Sequence, residues 1–152
     1  MRTFKLLLLI CFLAPMISFA QTIKFGNTEV EFGQKISFYN NIWDEGNQIE
    51  SDDKNITIYE GENITGSFYK NKLVSITVTA YNNEPYPSNS EIEELINNME
   101  MFDSKIGSVN ESAVETTEYY KSEKFYITRQ SVRMFTNYII TPIKYANKLK
   151  AR

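Results

Sequence analysis

Polar and apolar positions first fall into register at TIKF-GN-TEVEF, residues 22 to 32. Ile23 and Phe25 alternate with polar neighbours, Gly26-Asn27 supplies a two-residue turn, and Thr28, Val30 and Phe32 resume the alternation. That is the pattern of a β-hairpin. Lys35 to Tyr39 reads as a further short strand with Ile36 and Phe38 on one face. Asn40 to Lys54 is polar and rich in turn formers, broken only by Ile42, Trp43 and Ile49, and predicts a long loop. Strands then resume at NITIYE (residues 55 to 60), turn at Gly61-Glu62-Asn63, and continue through ITGSFYK to a second turn near Asn71. Beyond it Val74, Ile76, Val78 and Ala80 line one face while Ser75, Thr77, Thr79 and Tyr81 line the other. Such alternation predicts a half-buried strand with a wet side.

After YNNEPYP (residues 81 to 87) the period changes. Ile92, Leu95, Ile96, Met99 and Phe102 recur at helical spacing, which predicts an amphipathic helix over about 89–104. Ser88 with Glu91, or Ser90 with Glu93, offers a capping box, and Gly107 a stop. Strands return at VETTEYYK (114 to 121) and KFYITR (124 to 129). The run from Lys124 to Pro142 exceeds the roughly 3–10 residues usual for one strand, so a bend or bulge is expected near Gln130-Ser131, re-aiming Arg129 and Arg133. Pro142 closes the sheet, and 143–152 is a basic C-terminal tail. The expected fold class is therefore α+β: a mostly antiparallel sheet of about eight or nine short strands with the helix laid on one face. A small β-barrel with one attached helix is the alternative.

Composition adds an address. Arg2 and Lys5 precede an apolar run from Leu6 to Ala14, and Ser18-Phe19-Ala20 is a small-x-small cleavage pattern, so residues 1–20 read as a cleaved signal peptide. The run is shorter than the roughly 20 residues a spanning helix needs, and no transmembrane segment is expected after cleavage. The remaining 21–152 reads as a single α+β domain, exported to the periplasm or secreted, and the Asn, Lys and Ile richness reads as bacterial. Cleavage also removes Cys11, the only cysteine, so no intrachain disulfide is available and apolar packing has to carry stability. Charge is uneven along the chain. Residues 21 to 120 hold 6 basic and 18 acidic residues, net −12, whereas residues 121 to 152 hold 8 basic and 1 acidic, net +7.

The missing residue types bear on chemistry. There is no histidine, so a Ser-His-Asp triad, a Cys-His pair and a histidine-ligated metal are all out of reach. Ser67-Phe68-Tyr69-Lys70 matches an S-x-x-K string, but it lies in a strand and lacks companion motifs. The expectation is a non-enzyme with no catalytic residue, no metal and no cofactor. Asp44, Glu45, Asp52 and Asp53 gather around Trp43, which frames one alternative, a carbohydrate-binding module or weak glycosidase centred on that loop. Tyrosines are too numerous and too paired to be all core, since Tyr119 and Tyr120 are adjacent in a strand and point to opposite faces. Tyr69, Tyr81, Tyr119, Tyr126 and Tyr138 are thus candidates for an exposed aromatic sheet face. The candidate binding residues are Trp43, Tyr81, Tyr86, Tyr126, Arg129, Arg133, Tyr138, Lys144 and Lys148. They predict a binding protein of the envelope or periplasm, of inhibitor, immunity or assembly type, whose partner is another protein, an anionic envelope surface or a glycan. A structural envelope component is the remaining alternative. Export and the acidity of the rest of the chain argue against nucleic acid.

Overall fold

The computed structural model describes residues 21–43, 47–81, 87–110 and 113–149. The leader 1–20, Tyr86, and the last basic residues Lys150 and Arg152 lie outside them. Strands β1 (Thr22–Phe25) and β2 (Thr28–Glu31) form the expected hairpin, with Gly26 at φ 56° supplying the left-handed turn residue. The main sheet has eight strands: β3 (Gln48–Ile49), β4 (Ile56–Glu60), β5 (Ile64–Tyr69), β6 (Lys72–Tyr81), β7 (Glu100–Asn110), β8 (Ala113–Lys121), β9 (Phe125–Ser131) and β10 (Phe135–Pro142). Every neighbouring pair is antiparallel, in the order β3-β4-β5-β6-β10-β9-β8-β7. The sheet is not closed into a barrel.

That order follows from one crossing. The chain meanders from β3 to β6, passes through helix α1 (Pro87–Asn97) to the opposite edge, and meanders back from β7 until β10 pairs with β6. The helix is thereby carried onto one face of the sheet. Ile92 and Ile96 of α1 are buried against a core that includes Ile76, Val78, Ala80, Ile127, Tyr138 and Ile140. The β1–β2 hairpin adds Ile23 and Val30 to the same core, and the segment after it adds Phe32, Ile36, Tyr39 and Trp43. A four-residue helix α2 (Ile143–Ala146) follows β10, and the Ile143 N–H donates to the Lys124 carbonyl at 3.0 Å.

Four expectations need correction. Lys35 to Tyr39 is not a strand: Ile36–Tyr39 is a 3-10 turn. Ile36 and Tyr39, three residues apart, are the buried pair and Phe38 faces out, as a three-residue turn requires. The helix ends at Asn97, short of 104, because Asn98 closes it by donating its side-chain amide to the Glu94 carbonyl at 2.9 Å. Phe102 and Gly107 consequently belong to β7. The run from Lys124 to Pro142 is two strands joined by a tight turn at 132–134, pinned by the Val132 N–H donating to the Phe135 carbonyl at 3.0 Å, and not one strand bent at Gln130-Ser131. With the hairpin, the described residues form ten strands.

Candidate functional site: the second face of the sheet

Residues opposed in an antiparallel ladder share a face, so the register divides the sheet's side chains into two sets. Val78, Tyr138, Arg129 and Glu118 stand in one row across β6, β10, β9 and β8, on the face that α1 covers. Offset by one residue, Thr79, Asn137, Gln130 and Thr117 form a row on the other face. Most of this second face is part-exposed, and its centre is short polar side chains joined by hydrogen bonds: the Thr79 hydroxyl donates to Asn137 Oδ1 at 2.8 Å, and Ser75 and Thr141 share a buried contact of 2.8 Å.

Aromatic groups gather around that polar centre. On the β7–β9 side, Phe102 lies 6.1 Å from the Tyr119 ring and 6.2 Å from the Tyr126 ring. Lys105 Nζ stands 5.5 Å from the Tyr119 centroid and Lys121 Nζ 5.8 Å from that of Tyr126, within cation–π range. At one strand end Tyr81 packs edge-on to Phe135 at 6.3 Å. Toward β4, Tyr69 is approached by Lys70 and Lys148 at 5.4 and 5.3 Å. An open groove of ≈ 1070 Å³ runs beside it, floored by Ile56 and Ile58, with Asp52 and Asp53 among its acidic residues.

Tyr81, Tyr126 and Lys148 of the candidate residues therefore belong to this face. Others lie elsewhere. Trp43 is only 2% exposed: its Nε1–H donates to the Ile64 carbonyl at 2.8 Å and its ring meets Tyr39 and Phe68 edge-on. Tyr138 is buried under α1 and donates to Glu93 Oε1 at 2.5 Å. Burial, reinforced by Glu93, pushes the Tyr138 hydroxyl well above the usual phenol range. Arg129 sits between two carboxylates, Nε 3.4 Å from Glu93 and Nη1 3.3 Å from Glu118. The Nε contact is an ion pair without hydrogen-bond geometry. Burial opposes the Arg129 charge, but Glu93 and Glu118 outweigh it and the guanidinium is held more firmly protonated than usual. Tyr120 donates to Glu118 at 3.1 Å, and burial followed by Glu118 raises its pKa too. Arg133 occupies the exposed turn between β9 and β10, and Lys144 stacks on Tyr145 at 5.0 Å.

Phe102 and Lys105 are the members of the aromatic cluster that sequence reasoning did not pick out, because helical spacing had claimed Phe102. No simple period marks them, since they are three residues apart and reach one face only because the register shifts between Met101 and Asp103. The face offers π surfaces, ammonium groups and fixed hydroxyl and amide groups, a set suited to recognition. Among the described residues no group of three or more His, Cys, Asp or Glu is placed to hold a metal ion, and no helix is long and apolar enough to cross a membrane. In comparison with known proteins, no family model, no curated protein and no solved structure matches the chain.

Proposed function

We propose that this chain is a non-catalytic binding protein of the bacterial envelope or periplasm, and that it engages another protein through the second face of its sheet. The observation that carries this reading is the Phe102, Tyr119 and Tyr126 cluster with Lys105 and Lys121 above two of its rings. Large aromatic side chains left at a surface, where they keep apolar area in contact with water, are the groups from which interfaces draw most of their energy. The two lysines add a preference for a partner with acidic residues. Of the basic C-terminal third, Lys121 and Lys148 serve this face, whereas Arg129 is engaged beneath α1.

The test is co-purification from the native envelope with wild type, Tyr126→Ser and Lys121→Glu side by side. A specific partner is retained by wild type in stoichiometric amount, is lost from Tyr126→Ser, and is weakened both by Lys121→Glu and by raised salt. A partner held equally by all three and insensitive to salt refutes the assignment of this face. Export rests on the 1–20 pattern and is checked by the mass of the protein recovered from the periplasm or medium, which should correspond to a chain starting at Gln21.

A further inference from the structure

We propose that the edge strand β7 pairs with β7 of a second copy, antiparallel, across a twofold axis at Ser104, joining two sheets into one. This does not rest on the partner-binding reading. Among the described residues β7 ends the sheet, is eleven residues long, and is paired only on its β8 side. Three large apolar side chains on it stand in water: Met101 at 55%, Phe102 at 54% and Ile106 at 81% exposure. A long, exposed, partly apolar edge invites strand addition unless something else occupies it.

Charge selects the occupant. Asp103 and Lys105 lie two residues apart and so share a face, opposite Tyr119 and Thr117 of β8. In a twofold antiparallel pair, residues of like parity oppose one another, so the register is set by which residue sits on the axis. An axis at Asp103 sets two aspartates face to face, and an axis at Lys105 sets two lysines face to face. The axis at Ser104 places Asp103 against the second copy's Lys105 and repeats that pair by symmetry. It also brings Ile106 opposite the Met101–Phe102 irregularity of the other strand, where Met101, which shares with Ile106 the face of Tyr120 and Thr116, can cover it, while Phe102 stays on the other face with Tyr119 and Tyr126. Chemistry at the axis agrees. The Ser104 N–H is taken by Asp103 Oδ1 at 2.9 Å, the mark of an amide turned away from β8. On pairing, that amide passes to the opposing Ser104 carbonyl and the released carboxylate turns to the opposing lysine.

Sedimentation velocity of the purified chain over a concentration series tests this. Wild type dimerises, less at high salt. Lys105→Glu or Asp103→Lys, each placing like charges opposite one another twice, weakens the dimer by about tenfold or more. The double exchange Asp103→Lys with Lys105→Asp restores it. Ser104→Pro removes the outward N–H while leaving the β8 side paired, and yields monomer. Hydrogen exchange at Ile127 and Ile140 checks that each variant stays folded. A wild-type chain that remains monomeric up to about 1 mM overturns the proposal, as does a dimer indifferent to the single charge changes and to Ser104→Pro.

Discussion

Gly66→Ala tests the seat of the core. Gly66 lies in β5 opposite Tyr59 on one side and Ile76 on the other. A Cβ there stands 2.8 Å from Trp43 Cζ2, 2.9 Å from Phe68 Cε2 and 3.0 Å from Trp43 Cε2. All three are ring atoms with little room to retreat, since Tyr39 and Phe68 meet Trp43 edge-on at 5.2 and 5.7 Å and its Nε1–H is tied to the Ile64 carbonyl. Forcing a methyl into such packing costs roughly 1–3 kcal/mol. Against that, alanine loses less freedom on folding than glycine, which returns roughly 0.4–1 kcal/mol. The steric term wins, and the net loss is about 1–2 kcal/mol, or about 0.5–1 M in the urea midpoint at a slope of roughly 2 kcal/mol/M. The sole tryptophan, Trp43, reports unfolding directly by fluorescence. In a Trp43→Phe background, followed by circular dichroism, the penalty should shrink because the clashing indole atoms are gone. A Gly66→Ala protein as stable as wild type, or one whose penalty is the same in both backgrounds, refutes the account of Trp43 as a ring seated on a glycine.

Three further outcomes follow from the same contacts. Arg129→Met leaves Glu93 and Glu118 without the cation between them and costs about 1–2 kcal/mol by urea unfolding, a figure kept small because the pair is about one-third exposed; no measurable loss removes Arg129 as the tie between α1 and the sheet. Tyr39 and Tyr138 both have pKa values raised above their unfolded value, primarily by burial. Their contribution is therefore complete below about pH 10 and lost as pH rises beyond it, so stability at pH 11 should fall below that at pH 8, and fall less in Tyr138→Phe; equal falls would exclude Tyr138 as a source. Tyr126→Ser, on the part-exposed second face, should change stability by no more than about 0.5 kcal/mol, so that its effect on a partner reads as recognition; a larger loss would mean that Tyr126 supports the fold.

Much of the fold was legible because its strands are period-2 segments. Val78 and Ala80 are buried where the alternation put them, and Thr77 and Thr79 are wetter, as expected. The misread segments are those in which local pattern was outweighed by closure of the chain. Met99 and Phe102 continue the helical spacing of Ile92 and Ile96, yet Asn97-Asn98 ends the helix and Phe102 falls in β7, at the register shift between Met101 and Asp103. Ile36 and Phe38 look alternate, but the Gly33 N–H is already bound to the Leu73 carbonyl and Leu73 N–H to the Gln34 carbonyl, after which no strand among the described residues pairs with the segment. Trp43 stands beside Ile42 in an otherwise polar loop, a setting open both to a residue tucked over the core and to a sugar contact; what seats it in the core is Gly66, 23 positions on, which no local pattern shows.

The basic third shows why charge counted along a chain does not map a surface. Tyr126 and Arg129 are three residues apart in one strand, so their side chains leave opposite faces of the sheet. Arg129 is spent on Glu93 of the helix and Glu118 of the next strand, both supplied by the acidic part of the chain. Lys121, paired opposite Tyr126, emerges on the other side and stacks on that ring. The same run of sequence thus supplies the clamp that holds α1 down and a cation for the face that α1 leaves open. A perturbation of Arg129 should then act on stability and one of Lys121 on recognition, and exchanging those two effects in experiment would mean that the strand register has been assigned one residue out of step.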